Sequence, residues 1–518
     1  MRDTRIGRRP FALGAAASSL ALGLEGVLNA RPAQAQARTE LRVAYSTLGF
    51  GRHPHQVSTN VDVDIARLVF DGLLGFDADG NIEHVLATRH EQLSDTHFRF
   101  HLRQGVRFHG GQPFGADDVL ASVAQLQRPD VSWSYFFTGW FDRAVKVDDH
   151  TVDFITNRPH RLILPTIAHT LRIVPRTVTD PRAFEQAING TGRYRLAEWV
   201  PNNRVVLERN DAWWGAERAW AQRITMRHMP EAATRLAALE AGDVDFAAFV
   251  STDDVPRLRQ RGFGIMSGAA PRNLWIGFNF LADAPTRDIR VRRALNHAVD
   301  REAINQAVYG GLGAVAVGPI SQPTRMSFPV QPPYPYDPAL ARRMLAEAGH
   351  PRGFEVVFAT PNGRYPKDRE IAEIVAAQLA EVGVRTRLVP LEWATFTTHM
   401  RAERQTTGRR YAIYLLGWSN PVRDPDLNLL AFDGDNAAWN LGSYRNEELQ
   451  PVLAEGRVTL DEARATAIYR SAQEIVWRDP PGIWLFDHPN VNAFNARLTG
   501  LRWRGDEMIE WERASRTG

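Results

Sequence analysis

Histidine, arginine and tryptophan, rather than any nucleophile, are the residues whose types and spacing in this chain bear on chemistry. There is no cysteine among the 518 residues. No G-x-S-x-G elbow and no H-E-x-x-H helix is present, so the common acyl-transfer and zinc-hydrolase constellations are excluded. His53-Pro54-His55 is the tightest histidine pair, and His97, His101 and His109 form a looser group. On a strand, His97 and His101 would share one face. Zinc ligation asks for thiolates or a histidine–carboxylate spacing, and neither accompanies these residues. No metal and no cofactor is expected. What remains suits capture rather than turnover. Gly417-Trp418-Ser419-Asn420-Pro421-Val422-Arg423-Asp424-Pro425-Asp426 follows an apolar run from Tyr411 to Leu416. Asp424 is the nearest acid in that loop, although its D-P pair also shapes a turn. Trp439 and Asn440 sit in a second, Gly/Asn-rich loop able to close over a ligand. Trp275 lies in a run whose alternate residues Leu274, Ile276 and Phe278 read as core. It therefore faces either a cleft or an opposite core layer.

The elements that must position these loops are legible in the apolar spacing. Val291, Ala294, Leu295, Ala298 and Val299 mark one helical face after a cap at Thr286 or Asp288. Asp337-Pro338 opens a second helix and Gly349 closes it. Ile371, Ile374, Val375, Leu379 and Val382 mark a third, ending at Gly383. Strands are predicted at 354–359 and 384–391, so helix then strand occurs twice. That alternation defines an α/β class.

The N-terminus carries an address. Arg8 and Arg9 precede an apolar, small-residue run from Ala12 to Leu28, and A-x-A sites follow at Ala33–Ala35 and Ala35–Ala37. This is the order of a twin-arginine export signal over 1–37, removed on maturation. Those residues hold five arginines and two acids, which accounts for the overall charge of +3 and leaves the mature chain near neutral. No basic stripe supports nucleic-acid binding. A cysteine-free exported chain has neither disulfides nor a lipidated cysteine, which points to a soluble periplasmic protein. About 480 residues after cleavage exceed what one core usually organises, so two or more lobes are expected.

The segment 69–119 carries L-R-x-G-V-x-F-H-x-G at Leu102–Gly111, then Pro113-Phe114 and Ala116-x-Asp118. Asp288-x-Arg290-Val291-Arg292-Arg293-Ala294-Leu295-Asn296-His297-Ala298-Val299-Asp300, the Gly190-Thr191-Gly192 turn and 337–358 recur in the same order. Together these blocks resemble family 5 extracellular solute-binding proteins, the receptors of ABC importers for peptides, nickel chelates and related solutes.

The resemblance implies an α/β, two-lobed clamshell with an extra subdomain in lobe one. Lobe one would hold residues 38–271 plus 488–518, with the subdomain near 76–190, and lobe two 272–487. The chain would cross between them near Arg272 and His488. It further implies that the Gly-Trp loop lines the cleft, with Trp418 as an apolar wall. Arg364 would stand where the peptide-binding branch grips a ligand carboxylate, a task suited to a planar guanidinium. Tyr45 falls at the first ligand loop, and Trp393 in a region more often used for packing. The peptide-binding branch usually places an aspartate four residues after the loop glycine, opposite the ligand's ammonium. Here that position is Pro421, which argues against ordinary free peptides. Asn420 can accept a hydrogen bond but does not replace a charge.

The expected function is a periplasmic, monomeric receptor for a peptide-like or carboxylated small solute. It would deliver that solute to an ABC permease and ATPase complex. The candidate ligand residues are Arg364, Trp418, Asn420, Trp275, Tyr45, Asp424 and Trp439. A receptor of the same fold for a nickel-type metal chelate, an opine or a glycan-like solute is the alternative. An exported enzyme is the remote one.

Overall fold

Two long strands, Gly264–Phe278 and Gly482–Phe494, run antiparallel through the middle of an eleven-stranded sheet. The computed structural model describes residues 39–48, 53–56, 59–131, 133–178, 188–402, 411–436 and 439–517. The expected export signal at 1–37 lies outside them. Between the two long strands the register slips: Ala269 faces Pro489, and the next pairing is Asn273 with Asp487. Before the slip, Gly482–Phe494 continues through Phe246–Ala247 to Glu40–Tyr45, Arg223–His228, Arg204–Arg209 and Tyr194–Val200. After it, residues 272–278 pair with Ile413–Ser419, and Phe354–Pro361 and Val384–Leu391 complete the far edge.

That far edge is a parallel βαβ unit, as the helix-then-strand pattern predicts. Phe354–Pro361 and Val384–Leu391 are parallel in register, joined by the helix Asp368–Glu381. A parallel pair needs such a crossover, because no tight turn can return the chain in the same direction. The helix Ile289–His297 begins at Asp288, whose side chain accepts from the Arg290 N–H. Pro338–Glu347 begins with Asp337 accepting from Leu340 at 2.7 Å. Each such cap satisfies one of the orphan N–H groups of a first turn.

Strand alternation sorts the core into two layers. Leu274, Ile276 and Phe278 join Val291, Leu295, Ile371 and Val375 on one side. Trp275 points to the other, where it packs with Tyr414, Phe432 and Trp484 at ring separations of 5.9, 5.0 and 5.7 Å. At 2 % exposure it is part of the opposite core layer rather than of a cleft wall.

A separate four-stranded antiparallel sheet, Ala87–Ser94, His97–Leu102, Thr151–Thr156 and Phe141–Asp148, lies within 76–190. Val106, Phe108 and Phe114 of the 102–118 motif are buried beside it. Asp118 fixes the adjoining turns by accepting from the N–H groups of Gly115 at 2.9 Å and Arg176 at 2.8 Å. His97 and His101 turn to Asp153 and Glu91, at 2.8 and 3.0 Å. Among the described residues no group of three or more His, Asp or Glu is placed to hold a metal ion, and no helix is long and apolar enough to cross a membrane.

Asp487, at the register slip, is 1 % exposed. Burial lifts its carboxyl well above the ordinary carboxylate range, opposed by one N–H bond from Gln322 at 2.7 Å. The folded chain therefore binds a proton that the unfolded chain releases as pH rises past the usual aspartate value. Stability falls with rising pH across that window. Asp487→Asn should thus raise the urea midpoint at pH 8 and change it little at pH 4, as equilibrium unfolding at the two pH values would read.

Candidate functional site

The loop between Phe354–Pro361 and Asp368–Glu381 carries Arg364, and one carboxylate sets its shape. Asp368 accepts from the backbone N–H groups of Gly363, Arg364 and Tyr365 at 3.0, 2.8 and 3.0 Å. The carboxylate is thereby spent on the main chain, and the Arg364 guanidinium is left to the cavity beside it. That guanidinium lies 5.0 Å from the Trp393 ring centre and 5.6 Å from that of Tyr365. Burial, aided by the nearby charge of Arg272, lowers the Arg364 pKa.

The cavity has a volume of about 220 Å³ and is walled by three arginines, Arg272, Arg364 and Arg401, with Trp393, Trp418 and Trp439. Trp418 is the penultimate residue of the strand Ile413–Ser419. Its ring NH donates to the Leu427 carbonyl at 2.9 Å, and Trp439 meets it edge-on at 5.2 Å. Tyr365 donates to the Gly417 carbonyl at 3.0 Å, tying the two loops together. Tyr135 adds a wall from far earlier in the chain, 6.3 Å from Trp439. Among the described residues no carboxylate belongs to these walls. Glu507 lies behind them, its Oε1 3.9 Å from Arg272 Nε, and burial raises its pKa.

Three of the seven residues singled out in the sequence, Arg364, Trp418 and Trp439, therefore come together. The other four lie elsewhere. Trp275 is in the core layer described above. Tyr45 is buried, its hydroxyl 3.4 Å from Asp64 and its ring edge-on to Trp511. Asn420 is fully buried, and its amide donates to the Asp424 carbonyl at 2.7 Å. Asp424 is 1 % exposed and ion-paired with Arg161. Sequence reasoning passed over Arg272, Arg401, Tyr365 and Tyr135. Arg272 follows the pattern of a strand, and Tyr135 belongs to a three-residue turn, Ser134–Phe136, with no periodicity to flag it.

Two further cavities help to define this one. A space of about 230 Å³ is lined by Tyr309, Pro366, Lys367, His488 and Asn490, next along the chain from the Arg364 loop. His488 Nε2 and Asn490 Nδ2 are both buried there without a hydrogen-bond partner. Another cavity, of about 370 Å³, lies between the helix Asn60–Val69 and the C-terminal segment. Its walls mix both signs of charge, with Arg67 paired to Glu512 at 3.0 Å and Arg504 to Asp506 at 2.7 Å. The smaller, arginine-walled cavity gathers three guanidinium groups, with one buried carboxylate, Glu507, behind Arg272. His53 and His55 lie apart from it, both buried, and desolvation lowers their pKa values to about 4 and about 3.

The mixed α/β sheet has the periplasmic binding protein fold, and it carries a cavity with aromatic walls. Residues 81–440 match the model of bacterial extracellular solute-binding proteins, family 5 Middle, and the chain belongs to that family, whose members serve ABC importers. It is 27 % identical to glutathione-binding protein GsiB of Pectobacterium atrosepticum, over 90 % of this chain and 91 % of that one. With heme-binding protein A of Haemophilus influenzae it shares 29 % identity, over 81 % of each. The solved structure of HbpA2 from Haemophilus parasuis is similar with a TM-score of 0.83 at 26 % identity, covering 92 % of this chain and 100 % of that one.

Proposed function

We propose that this protein is a periplasmic receptor that captures a small, peptide-like solute bearing carboxylates, of the glutathione kind, and delivers it to an ABC permease and ATPase complex. The observation that carries this reading is the gathering of three guanidinium groups in a cavity whose described walls hold no carboxylate. Such a site attracts anions and disfavours cations, because unpaired charge removed from water is costly. Arg364 grips a carboxylate, while Trp418, Trp393 and Trp439 pack the body. The names of the GsiB relatives support a two-carboxylate tripeptide as first candidate. Export through the 1–37 signal places the mature monomer in the periplasm.

In this reading residues 272–487 form one lobe, and 39–271 with 488–517 form the other. The register slip at Ala269/Asn273 supports a hinge, since both crossing strands lose regular pairing at that point. Solute binding then shifts the population towards closure, by its preference for the closed state.

Isothermal titration of the mature protein with reduced glutathione, a neutral dipeptide, a cationic dipeptide and haem tests the proposal. Glutathione should bind tightest of the four. A cationic or uncharged solute that binds as well as glutathione overturns the acidic class. Trp418→Ala should weaken glutathione binding by about 3- to 10-fold, the worth of one aromatic contact, read in the same titration.

A further inference from the structure

We propose that Arg161 and Asp424 form a buried latch that holds the solute-retaining closed state, and that the solute loop works it directly. The inference rests on the two-lobe reading above and adds to it the residues that set the closed population. Arg161 precedes the helix Ile163–Thr170, in the lobe opposite to Asp424. Its Nε and Nη2 stand 3.0 and 2.9 Å from Asp424 Oδ2, with the two side chains 5 % and 1 % exposed. The other carboxylate oxygen accepts from the Asp426 N–H at 3.1 Å and caps the helix Pro425–Leu429, which fixes the direction of the group. Beside the pair, the Arg161 N–H donates to the Arg457 carbonyl at 2.8 Å, a second bond between the same two lobes.

Arg423, the preceding residue, reaches in the opposite sense. Its guanidinium donates twice to the Pro323 carbonyl, at 3.1 and 2.8 Å, and rests against Gly80 and Gly505 of the other lobe. A Cβ on Gly80 would overlap it, and one on Gly505 would come within 2.8 Å. One dipeptide thus receives a cation from the opposite lobe and sends one to it. The same loop, two and more residues earlier, supplies Trp418, Ser419 and Pro421 to the solute cavity. A solute that seats this loop therefore also seats Asp424, the loop's half of the latch, and Arg423 beside it.

The pair's energetics make it a control on closure. When the lobes part, both ions regain water, so their burial costs the closed state and their attraction repays it. Removing Arg161 leaves the Asp424 carboxylate buried without its cation, and removing Asp424 leaves Arg161 only the longer, half-exposed contact to Glu462 at 3.4 Å, so the closed state loses most. A lowered closed fraction lowers apparent affinity by the same factor.

The test uses Arg161→Met, Asp424→Asn (asparagine keeps the helix cap) and the double variant, in the full mature chain. Small-angle scattering without solute should show each single variant expanded relative to wild type and the double variant close to wild type. Titration with reduced glutathione should show each single variant weakened at least tenfold, mainly through faster release, with most of the loss recovered in the double. Arg161→Lys, which keeps the charge, serves if Arg161→Met fails to fold, and should expand less than removal of the charge does. Single variants with unchanged scattering and affinity overturn the latch. So do variants that lower only the thermal midpoint, the mark of a merely structural pair. The scattering arm needs no solute. A wild type that ignores glutathione thus counts against the solute class alone, and scattering still decides the latch.

Discussion

Arg364→Ala is expected to weaken capture of a carboxylated solute about 10- to 150-fold, because a hydrogen bond to a charged group contributes roughly 1.5–3 kcal/mol. Titration calorimetry with reduced glutathione measures it. The side chain is held over Trp393, and its loop is fixed through Asp368 rather than through its own guanidinium, so truncation leaves the loop in place. Arg364→Lys keeps the charge but loses the planar fork, and its affinity should fall between those of wild type and the alanine variant. Because burial and Arg272 already act against the cation at this position, an arriving carboxylate relieves repulsion as well as forming a bond. Equal affinity in all three proteins would remove Arg364 from the site.

Trp275→Ala should cost about 3–5 kcal/mol of folding stability, the range for emptying a large aromatic from a packed core. Urea denaturation would show it as a lowered midpoint. The ring sits among Tyr414, Phe432 and Trp484 with no access to the arginine-walled cavity. Solute affinity of the folded fraction should therefore stay near that of wild type. A large affinity loss with normal stability would instead place Trp275 at the ligand. The contrast with Trp418 is informative: both are strand tryptophans, paired across the same ladder, yet one is core and the other a wall.

The fold was legible because local chemistry agrees with it at many points. Asp288, Asp337-Pro338 and Gly383 mark helix limits that the structure keeps within a residue or two. The motif that carries the family resemblance is a matter of packing: Val106, Phe108 and Phe114 are buried and Asp118 ties two turns, all outside the walls of the arginine-lined cavity. A strong family signal therefore says little about the ligand. The walls of the arginine-lined cavity were legible where a loop follows a strand, as at Arg364 and Trp418. It was illegible where contact joins distant segments. Asp424 read as an available acid because its partner, Arg161, lies 263 positions away and no spacing announces it. Tyr135 was hidden for the same reason, since only tertiary packing brings it to Trp439.

The Asp368 clamp on the Arg364 loop has a thermodynamic consequence. Three amides of the Arg364 loop are immobilised when the chain folds. The configurational freedom of that segment is given up during biosynthesis, not at the moment of encounter. Capture should then show a smaller entropic penalty, and less heat from loop ordering, than a slack loop would give. The fork should discriminate among anions by shape and not by charge alone.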